Sequence, residues 1–225
     1  MSPADRPLLK SFWMGGFECS CQINAAGVRL DMTAALQHDV YAAEDYRRLR
    51  DVGIAAVRDG LRWPLIDRGG SFSWESWLPM LDAARVEGAQ VIWDLCHYGW
   101  PDDLEFFSPA FVDRFARFSR EAARRQLEHT GVPGFYSPVN EISFFAWAAT
   151  RDLIFPYAHG RDGDFKRQLV RAAIASVDAI RSVDPGARSH SSSSTCSIST
   201  AGGCSARRST SGGRPSVACC GRATR

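Results

Sequence analysis

Residues 89–101 read AQVIWDLCHYGWP, and the fold turns on how this stretch is understood. Val91, Ile92, Trp93, Leu95 and Cys96 make a run too continuously apolar to have a wet face. Such a run fits a strand covered on both sides, as in a parallel sheet, better than one that alternates between core and water. It ends in polar and aromatic residues, His97, Tyr98 and Trp100, just before Pro101. Residues 109–129, PAFVDRFARFSREAARRQLEH, follow with Phe111, Phe115 and Phe118 on one stripe, which predicts a long amphipathic helix.

The same order repeats on either side. Residues 54–63, IAAVRDGLRW, have strand length and stop at Pro64, and residues 74–88, WESWLPMLDAARVEG, read as a helix ending at Gly88. Further upstream, SFWMGGFE at 11–18 suits a buried strand with a close backbone approach at its glycine pair. A polar loop then leads to a helix with Asp39 as its N-cap, Ala42, Tyr46, Leu49 and Val52 near helical spacing, and Gly53 as its stop. Downstream, GFYSPVNEI at 134–142 and the helical pattern of 164–184 form a fourth pair.

Four strand–helix units of roughly 35 to 50 residues imply a parallel sheet covered by helices. An open doubly wound sheet and a (β/α)8 barrel both satisfy that pattern. No Gly-x-Gly-x-x-Gly loop follows the first strand, which weighs against a dinucleotide site. Residues capable of chemistry stand instead at the carboxyl end of every strand: Glu18 and Gln22, then Arg58, then His97, then Asn140 and Glu141. That is the arrangement of a barrel enzyme. The expected fold is α/β, the N-terminal half of a (β/α)8 TIM barrel, over residues 1–188.

Residues 189–225 read differently. From 190 onward the chain holds ten Ser, five Arg, five Gly and four Cys, with no aromatic residue and no carboxylate side chain. No core can be built from that, and the segment is expected to lack regular structure. A basic Ser/Gly linker is one reading. The other is translation past a frameshift, because a chain with 25 Arg against two Lys reflects a GC-rich gene, and linkers rarely scatter four cysteines. Without this tail the formal net charge of +2 turns mildly acidic, since all 25 acidic residues lie at or before Asp184. An acidic domain has no electrostatic reason to seek nucleic acid. No apolar run approaches the roughly 18 residues of a membrane span, and no signal-peptide core opens the chain, so a cytoplasmic protein is expected. Cys19, Cys21 and Cys96 read as buried thiols, and Cys19-x-Cys21 lacks the second ligand cluster that a metal site would need.

Four motifs, in one order, resemble family 1 of the glycoside hydrolases, the β-glucosidase and 6-phospho-β-glycosidase family. FWMGGFECSCQIN resembles the opening Phe-x-x-Gly-x-x-x-x-x-x-Gln segment, which matches Gln22 to a sugar-binding glutamine. VRDGLRWPLI resembles Tyr-Arg-Phe-Ser-x-x-Trp-Pro-Arg-Ile and matches Arg58 to the arginine beside the nucleophile. HYGWP resembles His-Trp-Asp-Leu-Pro, matching His97 to a sugar-binding histidine, and SPVNEI resembles Thr-x-Asn-Glu-Pro, matching Asn140 and Glu141. The likeness covers about residues 12–188 and departs at Glu18, Asp59 and Ile142.

The resemblance implies hydrolysis of a small β-glycoside by the retaining two-carboxylate mechanism, with no cofactor and no metal. Glu141 would be the acid, Asn140 would hold the sugar 2-hydroxyl, and Gln22, Arg58, His97, Trp100 and Glu18 would line the sugar site. The family's nucleophile ends strand seven, whereas the pattern here runs out before strand five. Each residue also has a plainer reading: Glu141 as a capping or surface residue, His97 as a core histidine, Arg58 as the partner of Asp59, and Trp63, Trp93 and Trp100 as packing. Two further possibilities are a catalytically inactive half-barrel and a sugar- or nucleotide-binding α/β domain.

Overall fold

The computed structural model describes residues 8–190, so the tail expected to lack regular structure lies, apart from Ser189 and His190, outside the described residues. Five strands form one sheet in the order β1 (Met14–Gly16), β2 (Ala56–Gly60), β5 (Gln90–Cys96), β6 (Phe135–Val139) and β7 (Arg188–Ser189). Every neighbouring pair is parallel. The connections carry helices α1 (Met32–Ala35) and α2 (His38–Asp51), then α3 (Trp63–Ile66) and α4 (Leu78–Glu87), then α5 (Pro109–Thr130), then α6 (Ile142–Ala149) and α7 (Asp162–Val183). A two-stranded hairpin of β3 (Asp67–Arg68) and β4 (Ser71–Phe72) stands apart from the main sheet.

The sheet has one strand more than the four expected. Only Arg188 and Ser189 form β7, paired with Phe135 and Tyr136, and two residues carry no readable periodicity. The β3–β4 hairpin escapes for the same reason; its turn uses Gly69 and Gly70, both at positive φ, as a two-residue turn requires. Asp67 ties the hairpin to α5 by accepting from Arg114 Nε and Nη2 at 2.7 and 2.8 Å.

Asp39 is not the N-cap of its helix. Gln37 occupies that place, in the left-handed region at φ 56°, and Asp39 lies in the first turn, where its carboxylate accepts from Arg62 Nη1 at 2.8 Å. Arg62 is 6% exposed and draws on Asp31 as well, at 3.1 Å, so the demand of a buried guanidinium overrides the capping preference. Gly88 does end its helix in the left-handed conformation, and Gly131, which the sequence pattern does not single out, ends α5 the same way.

The core lies where β5 meets the helices. Trp93 is 1% exposed, donates its indole N–H to Gln126 of α5 at 3.2 Å, and meets Trp77 edge-on. Phe111, Phe115 and Phe118 are buried as their spacing predicts, and the Trp63 ring stacks on Phe118 at 5.5 Å between centroids. Each fully buried phenylalanine contributes about 1.5–3 kcal/mol by leaving water. No helix among the described residues is long and apolar enough to cross a membrane.

Candidate functional site

Alternation along β2 decides which polar side chains meet. Asp59 turns toward α2, where its carboxylate bonds His38 Nε2 at 2.9 Å and accepts from the Tyr46 hydroxyl. Arg58, one residue earlier, projects from the opposite face. Its partner is therefore not Asp59 but Asp94 of β5: Nε and Nη2 donate to Asp94 Oδ1 at 3.1 and 2.7 Å. Nη2 also reaches Ser137 Oγ on β6 at 3.4 Å and donates to Asn140 Oδ1. The register sets Asp94 beside both Gly60 and Ser137, so three adjacent strands contribute to one polar layer. Asp94 is 1% exposed. Burial pushes its carboxyl above the usual range, against the opposing pull of Arg58, His97 and the bonds from Arg58 and Ser137.

His97 follows the end of β5. Its Nε2 lies 2.7 Å from Asn140 Nδ2, an N–H donor, which assigns the ring proton to Nδ1. That Nδ1 faces Cys19 Sγ at 3.0 Å and Asp94 Oδ2 at 3.7 Å. Burial lowers the His97 pKa in spite of Asp94 and Glu18, so the ring is neutral at pH 7. Glu18 brings Oε1 to 3.7 Å from His97 Nε2 and accepts from the Ser20 backbone N–H at 3.0 Å. Burial acts to raise the Glu18 carboxyl, but the Ser20 bonds together with His97 and Arg58 hold it below the ordinary value.

Asn140 ends β6 and is fixed by its backbone N–H on the Cys96 carbonyl at 3.0 Å. Both of its Nδ2 hydrogens are used, because Nδ2 also donates to Tyr98 Oη at 2.8 Å. Tyr98 in turn donates to Glu141 Oε2 at 2.8 Å. Burial and the Glu141 carboxylate push the Tyr98 phenol up, which keeps it an O–H donor. An unbroken path thus runs from Arg58 through Asn140 and Tyr98 to Glu141. Tyr98 (φ 64°) and Glu141 (φ 41°) both hold left-handed backbone, at about 1–2 kcal/mol each for a residue with a Cβ.

The structure brings Glu18, Arg58, His97, Asn140 and Glu141 together at the carboxyl ends of the strands. Gln22 follows Cys21, whose N–H donates to the His97 carbonyl at 3.1 Å, and its Oε1 is buried without a hydrogen-bond partner among the described residues. Trp100 does not join them. Its ring is 3% exposed, packs against Phe106, Phe111 and Phe155, and gives its indole N–H to the Leu104 carbonyl at 3.1 Å. No ring face is left for a sugar, and Trp63 and Trp93 are equally enclosed.

Asp94, Tyr98 and Ser137 are the residues that sequence reasoning missed. Asp94 carried a signal, since a lone carboxylate inside an apolar strand needs a cation and Arg58 stands in the neighbouring strand. Cys19, Cys21 and Cys96 are free and buried, as expected. The donor atoms of Cys19, Asp94 and His97 all lie within 4.8 Å of one another, whereas Cys21 Sγ turns to the His97 carbonyl at 3.9 Å.

No protein-family model matches the chain, and no curated protein matches it by sequence. Solved structures do match. A β-glucosidase from Thermotoga maritima in complex with castanospermine superposes with a TM-score of 0.63 at 16% identity, over 82% of this chain and 48% of that one. A Thermotoga maritima β-glucosidase in complex with azafagomine and a family 1 β-glucosidase from the same organism in complex with isofagomine lactam give TM-scores of 0.56 and 0.57 at 18% identity, over 68% of this chain and 37% and 36% of theirs. The chain spans less than half the length of these enzymes. At such identities the likeness is one of fold, and the five-stranded parallel sheet with its helices is a partial TIM barrel.

Proposed function

We propose that the chain supplies the acid side of a retaining β-glycosidase site, with Glu141 as the proton donor and a small β-glycoside as substrate. The observation that carries the reading is the path of hydrogen bonds from Arg58 through Asn140 and Tyr98 to Glu141 at the strand ends. In this reading Glu141 protonates the leaving oxygen, Asn140 takes the sugar 2-hydroxyl, and Gln22, Arg58, His97 and Glu18 bind the remaining hydroxyls. Trp100 has no part in it. The chemistry needs a second carboxylate about 5–5.5 Å away to attack the anomeric carbon. After Asp184 the sequence holds no Asp or Glu, and in this reading the nucleophile is a glutamate from a further part of the barrel. We further read residues 189–225 as the product of a frameshift and the cytosol as the compartment, in keeping with three buried free thiols.

Translating the nucleotide sequence past codon 189 in the other two frames tests the frameshift, which requires further strand–helix units with a glutamate ending strand seven. In the completed enzyme, Glu141→Gln should cripple hydrolysis of an alkyl β-glucoside and spare a dinitrophenyl β-glucoside, whose leaving group needs no proton. Equal loss on both substrates would remove Glu141 from the acid role. The 225-residue chain itself should bind sugar without turning it over. Robust turnover by that chain would show that the nucleophile has been misplaced.

A further inference from the structure

Three side chains from three segments close on one buried point. Cys19 comes from the loop after β1, Asp94 from β5, and His97 from the turn beyond β5; they are 1%, 1% and 9% exposed. Their facing atoms are Sγ, Oδ2 and Nδ1. The separations are 3.0 Å for Cys19 Sγ to His97 Nδ1, 3.8 Å for Cys19 Sγ to Asp94 Oδ2, and 3.7 Å for His97 Nδ1 to Asp94 Oδ2. A tetrahedral zinc with bonds of about 2.0–2.3 Å holds its ligand atoms about 3.3–3.6 Å apart. The triangle therefore needs adjustments of only a few tenths of an ångström to accept such an ion.

We propose that Cys19, Asp94 and His97 form a binding site for a thiophilic divalent cation of the zinc type. The donor set selects the metal: a thiolate and an imidazole favour zinc or cobalt over the hard, all-oxygen ions magnesium and calcium. Three protein ligands leave a fourth position for water, as in open zinc sites. The surroundings already orient the ligands. Arg58 occupies Asp94 Oδ1 and leaves Oδ2 for the ion, and Cys21 N–H anchors the carbonyl of His97. Gly60 lets Cys19 approach, since a Cβ there would fall 2.4 Å from its Sγ.

The proton balance is explicit. Binding converts the Cys19 thiol to thiolate and releases one proton to solvent. The neutral His97 ring moves its proton from Nδ1 to Nε2, so the bond that Nε2 accepts from Asn140 Nδ2 is given up and Glu18 Oε1, at 3.7 Å, becomes the acceptor of the Nε2 proton. The ion thereby acts on the same imidazole whose Nε2 meets Asn140, which couples the metal to the hydrogen-bond path leading to Glu141. The site itself stands on its three donors and does not depend on the glycosidase reading.

The test is a cobalt(II) titration of the full chain after stripping with a chelator, followed by displacement with zinc. Residues 191–225 bring four more cysteines, so a variant with Cys196, Cys204, Cys219 and Cys220 all changed to serine is titrated beside it. One equivalent of cobalt should produce a sulfur-to-metal charge-transfer band in both proteins, and zinc should abolish it. Cys19→Ser in the tail-serine background should lose the band, while Cys96→Ser, a buried thiol outside the triangle, should keep it. X-ray absorption of the zinc-loaded tail-serine protein needs no folded Cys19 variant and should show one sulfur among nitrogen and oxygen ligands. Failure of the tail-serine protein to bind one equivalent, survival of the band in Cys19→Ser, or a first shell without sulfur would each overturn the proposal.

Discussion

Replacing Arg58 by methionine leaves the Asp94 carboxylate buried without its cation. Asp94 is 1% exposed and both of its guanidinium bonds come from Arg58. Removing one partner of a fully buried pair costs about 3–5 kcal/mol. The Arg58 side chain is 24% exposed, so water screens part of the interaction and the lower end, about 3 kcal/mol, applies. With a urea m-value of about 1–3 kcal/mol/M, the unfolding midpoint should fall by about 1–3 M. Adding Asp94→Asn should restore about 1–2 kcal/mol, because the uncompensated charge is then gone. The pH dependence has a definite sign. Burial already holds the folded Asp94 carboxyl above 3.8, so the folded state takes up the proton before the unfolded chain does, and stability falls as pH rises through that window. Without Arg58 this effect grows. The variant's deficit should be largest at pH 7 and shrink toward pH 4. A deficit that ignores pH, or additive single and double variants, would show that packing rather than charge is lost.

Two histidines should titrate in opposite directions. Burial opposes protonation of His38, but its bonds to Asp59 and Asp45 prevail and raise its pKa, so its stabilising contribution is complete below 6.5 and fades as pH rises above that value. His97, lowered by burial, should take its proton only below 6.5 and cost stability there; ring-proton NMR shifts followed against pH would refute the assignment if the order were reversed. Gly60→Ala should lose about 1–3 kcal/mol in urea unfolding, since its Cβ would meet Cys19 Sγ at 2.4 Å and Asp94 Cβ at 3.3 Å; an unchanged midpoint would mean that Cys19 has room to move. Phe118→Ala should cost about 3–5 kcal/mol, because the ring is fully buried and stacked against both Trp63 and Trp74. Thermal melting that barely shifts would contradict the core as described.

The parts of the fold that could be read in advance are those with a period or a stop. The α5 stripe of Phe111, Phe115 and Phe118 and the glycines at 53 and 88 marked their elements because burial and left-handed backbone leave direct traces in residue choice. Helix α6 left none: Ile142–Ala149 is apolar on nearly every side, and it follows β6 with only two residues between, so it blends with the strand before it. The site was readable where side chains stand at strand ends, as Arg58, His97, Asn140 and Glu141 do. What could not be read was which atoms would meet. Asp94 lay hidden inside the strand that decided the fold, and Trp100 had the composition of a sugar platform but the surroundings of a core residue. Both outcomes depend on register and on three-dimensional neighbours that no single stretch encodes.

The left-handed backbone at Tyr98 and Glu141 has a consequence for how this protein would respond to engineering. At Tyr98 the buried ring outweighs that cost, but at Glu141, which is only partly buried, glycine would relieve it, so a campaign selecting only for thermal resistance is drawn toward Glu141→Gly. That change would delete the hydrogen bond that Tyr98 donates. Resilience and reactivity therefore compete at Glu141, and a stabilised variant that had exchanged it would have lost the site.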